Sequence, residues 1–139
     1  METKQRETVF KKGYRGQEAR TAFELPDLPV SALQRRRNEN GIMILEVATH
    51  KTERGALLSY MSVSCEVRED GAVLHTFEIF GDYSRRAIES PGVRCTEKSV
   101  AAQHARALEM VPALLQEVET FYAQKRAKEA RDYPIQVPA

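Results

Sequence analysis

Between Leu57 and Val67 apolar and polar residues alternate, with Leu57, Met61, Val63, Cys65 and Val67 at one parity and Tyr60, Ser62, Ser64 and Glu66 at the other. Successive side chains of an extended chain point to opposite sides, so this period of two marks a strand buried on one face. The β-branched, apolar run from Ile42 to Thr49 precedes it, and Val73, His75, Phe77 and Ile79 follow at a single parity. Both read as strands, near 42–49 and 72–80. Three neighbouring strands with short connections predict an antiparallel meander.

The turn between the second and third strands is Glu69-Asp70-Gly71. A two-residue Asp70-Gly71 loop would set Val63 opposite Glu78 and Cys65 opposite Thr76, mixing polar and apolar residues on both faces. A three-residue loop with Gly71 in the left-handed region pairs Val67 with Val73, Cys65 with His75, Val63 with Phe77 and Met61 with Ile79. The apolar parities then coincide, and this is the expected register.

Helical signals flank the meander. Ser31 can cap a short helix from Gln34 to Glu39 that stops at Asn40-Gly41. Thr96 can cap a longer one, whose first turn carries Glu97 at the positive end of the helix dipole. Val100, His104, Leu108, Val111 and Leu115 form a stripe suited to pack on a sheet, and Pro112 is expected to kink this helix or start another. The fold class expected is therefore α+β, a three-stranded antiparallel sheet packed against helices in α-β-β-β-α order. Residues 1–28 read as a tail and linker, polar and basic through residue 24 and then broken by the Leu25-Pro26-Asp27-Leu28-Pro29 run that leads into the next segment. Residues 29–111 read as the folded domain, and residues 112–139 as a helical extension that fades into Lys125, Arg126, Lys128 and Arg131. A long loop is expected from Gly81 to Cys95.

Composition narrows the function. Lysine and arginine number 21 against 20 acids, a formal charge of +1, so no chain-wide field selects polyanions and any basic signal is local. Arg35 to Arg37 and Arg85-Arg86 are such local runs. Cys65 and Cys95 form no close-spaced pair and the first residues lack an apolar signal core, which predicts a reduced, cytoplasmic protein. The apolar run Ile42 to Leu45 is far too short for a bilayer, so no membrane association is expected. Cys65, His75, Cys95 and His104 match no zinc-ligand spacing, and no glycine-rich phosphate loop, nucleophile elbow or zinc-protease motif occurs. No enzyme, no catalytic residue, no metal and no cofactor is expected.

Pro29-Val30-Ser31-Ala32-Leu33-Gln34, the meander, and the run from Thr96-Glu97-Lys98-Ser99-Val100 to Leu108 together resemble a double-stranded RNA-binding domain, with an insertion before the last helix. That family holds duplex RNA by shape, through its first helix, a strand loop and lysines opening its last helix. Here Lys98 stands alone where the family carries several lysines. The resemblance implies duplex RNA contacts by Gln34, Arg54 and Lys98, with Arg85 and Arg86 supplied by the insertion. The other reading is a protein-protein interaction module, an adaptor or small inhibitor, which binds a partner through its helix and exposed strand edge, with Phe121 and Tyr122 as contacts.

Overall fold

The computed structural model of the chain describes residues 1–28, 41–77 and 82–132, with 73–77 given as backbone. Among the described residues there are seven strands and one helix: β1 (Lys4–Gln5), β2 (Val9–Gly13), β3 (Gly16–Leu25), β4 (Gly41–Lys51), β5 (Leu57–Glu69), β6 (Ala72–Phe77), β7 (Ser84–Ser90) and α1 (Glu97–Asp132). All strands belong to one sheet. β4 lies between β3 and β5, and every pairing is antiparallel. Each edge is shared by two strands in tandem: β1 and β2 on the outer side of β3, β6 and β7 on the outer side of β5.

The expected three-stranded sheet in α-β-β-β-α order is thus overturned. The three expected strands exist, but residues 4–25, read as a tail, add three more, and Ser84–Ser90, inside the expected loop, adds another. The short helix expected at Gln34–Glu39 lies outside the described residues.

The core forms where α1 crosses one face of the sheet. Phe23 and Leu25 on β3, Met43, Leu45 and Val47 on β4, and Met61, Val63 and Cys65 on β5 alternate toward the helix, which answers with Ala107, Val111, Leu114, Val118 and Tyr122. Each fully buried aliphatic side chain contributes about 1.5–3 kcal/mol. At 36 residues α1 is about 54 Å long. It outruns the sheet, and most residues from Ala123 onward are exposed. The helix passes through Pro112 unbroken. Pro112 is exposed, so the backbone bond it forgoes lies on the side open to water. Thr96 caps the helix as expected: Ser99 N donates to Thr96 Oγ1 at 3.1 Å, and Thr96 N donates back to Ser99 Oγ at 2.9 Å.

The β5–β6 hairpin differs from the expected register. Asp70 and Gly71 both have positive φ, 53° and 79°, forming the two-residue loop that the strand parities argued against. The ladder begins with Glu69 opposite Ala72, then a bulge between Val67 and Arg68 shifts it, so that Val67 faces His75 and Cys65 faces Phe77. Matching parity is restored by the bulge, and Cys65 and His75 are not partners.

The face opposite α1 is crossed by an ion-pair network. Arg6 donates to both carboxylate oxygens of Glu66, at 2.8 and 2.7 Å, and to Glu24 at 3.2 Å. Arg68 bonds Glu66 at 2.9 Å and pairs with Glu24. Arg6 follows β1 at one edge while Glu66 is on β5, so this side chain spans β3 and β4 and ties the N-terminal edge across the sheet. Hydrogen bonds from Arg6 hold the buried Glu66 carboxylate below the usual range for glutamate.

Candidate interaction edge

β2 and β3 are joined by a two-residue turn, Tyr14-Arg15, closed by the pair Gly13 and Gly16. Gly16 has φ 112°, and a Cβ there would stand 3.3 Å from Cys95 Sγ, so glycine is needed for both conformation and space. The pair that closes a two-residue hairpin is hydrogen-bonded, and bonding alternates along the ladder. Lys11 with Glu18 and Val9 with Arg20 are then the next bonded pairs, and the backbone N–H and C=O groups of Phe10 and Lys12 point away from β3. No strand among the described residues pairs with that outer side.

The side chains at this edge are unusual for an edge. Among the described residues the large exposed hydrophobics are Met1, Val9, Phe10, Tyr14 and Val93. Four of these five lie on β2, on its turn, or on the connection into α1. Phe10 and Val9 are 58% and 57% exposed, and Tyr14 is fully exposed. Cys95 Sγ donates to Gln17 O at 3.2 Å, which holds the connection carrying Val93 against the β2–β3 turn.

Between β2 and the first turns of α1 runs a groove of about 520 Å³, lined by Phe10, Lys11, Lys12, Gln17, Glu97, Val100 and Ala101. Phe10 and Lys12 stand on its side because their β3 partners are Ala19, which is buried next to Val100, and Gln17. Lys11 pairs with Glu18 at 3.2 Å. Lys12, Arg94 and Lys98 are exposed and have no ion pair among the described residues.

Behind Phe10 the interior is polar. The Phe10 ring stands edge-on to His104, 6.5 Å between centroids. His104 Nε2 bonds Thr21 Oγ1 and its Nδ1 bonds Thr49 Oγ1, both at 2.8 Å. Thr21 continues to Thr8, and Thr49 to Ser59, which also accepts from Gln103 Nε2. Thr21, Thr49, Ser59, Gln103 and His104 are all at most 2% exposed. Burial holds the His104 imidazole below its ordinary pKa, in the neutral form. His50, which lines separate shallow cavities and stands edge-on to Tyr60, is likewise lowered by burial.

The residues expected from sequence to touch RNA are not gathered here. Arg85 and Arg86 are on β7, where Arg85 faces Met61 on the helix side and bonds Glu117 of α1, while Arg86 faces Tyr60 on the other side and reaches Glu89 at 3.4 Å. Their pairing sets them toward opposite faces, though both border one shallow cavity with His50, Leu58 and Tyr60. Arg54 is exposed in the β4–β5 turn and Lys98 in the first turn of α1, at the same end of the sheet. Gln34 lies outside the described residues. Phe121 and Tyr122, expected to meet a partner, pack inward: Tyr122 is 5% exposed, accepts from Tyr83 N and donates to Asp82, and Phe121 stacks edge-on between Tyr83 and Tyr122. No group of three or more metal-binding side chains occurs among the described residues, and no described helix is long and apolar enough to cross a membrane.

Val9 and Phe10 are the site residues that the sequence reading missed. The signal was partial: Val9-Phe10 and Ala19 to Leu25 flank Gly13-Tyr14-Arg15-Gly16, where two glycines bound a turn whose own residues, Tyr14-Arg15, are not hairpin formers. No protein-family model matches the chain, and neither a curated protein nor a solved structure matches it.

Proposed function

We propose that the chain is a non-enzymatic protein-interaction module that receives an extended segment of a partner along the outer side of β2. The observation that carries this reading is the coincidence of outward-turned backbone groups at Phe10 and Lys12 with a concentration of exposed apolar side chains and an adjoining groove. Strand addition uses these ingredients: main-chain bonds supply affinity and alternate side-chain contacts supply selectivity. The duplex RNA reading asks Arg54, Arg85, Arg86 and Lys98, with Gln34, to face one ligand, whereas Arg85 is engaged by Glu117 and Arg86 by Glu89.

Amide exchange tests the proposal directly. A neutral peptide of alternating valine and threonine, added to the full chain, is expected to slow exchange at the Phe10 and Lys12 amides while leaving those of β7 unchanged. Protection elsewhere, or none, would reject the β2 edge. A gel shift with duplex RNA at two salt concentrations tests the other reading, and retardation that weakens steeply with salt and is lost in Arg54→Glu/Lys98→Glu would favour it instead.

A further inference from the structure

From the order of side chains along β2 we infer that the partner segment is acidic as well as apolar, with adjacent apolar residues set against Val9 and Phe10 and adjacent carboxylates set against Lys11 and Lys12. The inference rests on the β2 reading and adds the chemistry of the occupant. In a strand pair, residues directly opposite each other are neighbours on the same face. A residue opposite Phe10 therefore projects into the groove, toward Val100 and Ala101, while one opposite Val9 projects onto the face beyond. Both positions offer apolar contact to a partner residue.

One step further along the strand the chemistry changes sign. Lys12 projects to the groove side with no ion pair among the described residues, and Arg94 and Lys98, exposed at the start of α1 and the connection before it, are unpaired in the same sense. Lys11 is already engaged by Glu18, and Glu97 is the acid that lines the groove. Setting aside the Lys11–Glu18 pair, the groove lining carries Lys12 and Glu97, which form no ion pair with each other, and Arg94 and Lys98 flank Glu97 in sequence as further exposed cations. A carboxylate opposite Lys12 thus meets an exposed lysine with no ion pair among the described residues, and a lysine there meets repulsion, which steers association and excludes wrong partners. The pattern suits either strand direction, apolar pair then acidic pair for a parallel addition, or the reverse order for an antiparallel one.

Fluorescence anisotropy with labelled synthetic peptides tests the inference. The probes carry a Val-Phe-Glu-Glu core, its reversal Glu-Glu-Phe-Val, and a Val-Phe-Lys-Lys core, with identical flanks. One acidic order is expected to bind about tenfold more tightly than the lysine peptide, with the preference reduced by added salt. In Lys11→Glu/Lys12→Glu the preference should reverse toward the lysine peptide, a gain that a merely unfolded variant does not produce. Equal binding of acidic and basic peptides, abolished by Phe10→Asp, would overturn the charge inference and leave the β2 edge standing. Binding unaffected by Phe10→Asp would overturn both. Tighter binding of a single-stranded oligonucleotide than of either acidic peptide would overturn the assignment of the occupant as protein.

Discussion

The two edges of the sheet are both built from interrupted strands, yet they are finished differently. On the β6/β7 side each pairing with β5 contains a bulge, after Val67 and after Ser59, and the outer strand carries Arg85 and Arg86 in ion pairs with Glu117 and Glu89. Bulges and charges are the devices that discourage another chain from adding to an edge. On the β2 side the ladder with β3 runs without irregularity from Val9 to Gly13, and the strand offers Val9 and Phe10 to solvent. The contrast is what favours β2 in the proposal: one edge is bulged and ion-paired, and the other is held in a regular shape against β3 with apolar residues beside its two lysines.

Being held in shape is the point most easily broken. β1 and β2 bury little of themselves; all of Lys4–Gln5 and most of β2 are exposed. Their position depends on side chains that reach inward, Thr8 to Thr21 and Arg6 to Glu66. The largest effect is expected from His104→Ala, which leaves the Thr21 and Thr49 hydroxyls without their helix-side partner and opens a void; about 3–5 kcal/mol should be lost, read from denaturant melts. Arg6→Ala comes next. It removes a bidentate partner from a buried carboxylate and should cost about 3 kcal/mol, at the low end for such pairs because Arg68 remains on Glu66. Limited proteolysis should then cleave within residues 1–13 first while β7 stays resistant.

Acidification should act in two stages. His104 has a folded pKa below its ordinary 6.5, so the folded state binds the proton less readily than the unfolded one, and stability is full above 6.5 and declines as pH falls below it. The slope is at most about 1.4 kcal/mol per pH unit from this group. Glu66, depressed by Arg6, adds a second loss as pH falls below 4.5, the ordinary value, toward its folded one. Thermal melts from pH 7.5 downward check both, and His104→Gln should reduce the first decline to the share of His50, which burial lowers in the same direction. The smallest effects belong to exposed groups: Arg86→Ala and Phe10→Asp should each change stability by less than about 0.5 kcal/mol. Only the second should abolish peptide binding, and a like loss in Arg86→Ala would erase the distinction between the edges.

How much of this was legible in the sequence follows from how each element is held. β4 and β5 announce themselves because their apolar residues alternate and go into the core, and α1 because Thr96, Glu97 and the Val100, His104, Val111 stripe obey local rules. β1 and β2 announce themselves only through the glycines that bound the β2–β3 turn, because their anchors are ion pairs and hydroxyl contacts to residues far along the chain, such as Glu66. β3 is disguised by Ala19 and Thr21, small or polar residues at buried positions. β7, with Arg85, Arg86 and Glu89 in seven residues, reads as loop because an edge needs little apolar surface. In the β5–β6 hairpin, parity set the right requirement, but a bulge, invisible to parity counting, satisfied it.

The interior chain from Thr8 to Gln103 also carries an orientation. Gln103 Nε2 donates to the carbonyl of Leu57, which fixes the amide so that the same nitrogen can only donate to Ser59. In the arrangement that gives the Ser59 proton an acceptor, Ser59 donates to Thr49, Thr49 to His104 Nδ1, and the imidazole Nε2–H to Thr21, which in turn donates to Thr8. Hydroxyl protons on three residues, Ser59, Thr49 and Thr21, are thereby aligned in one sense with the imidazole proton, from β5 through the helix to the connection between β1 and β2. An imidazolium would donate at both nitrogens and force Thr49 to turn, leaving Ser59 facing donors on two sides with its own proton unplaced. Placing every one of these protons on an acceptor therefore selects the neutral Nε2–H tautomer of His104, with the amide of Gln103 setting the sense at the far end.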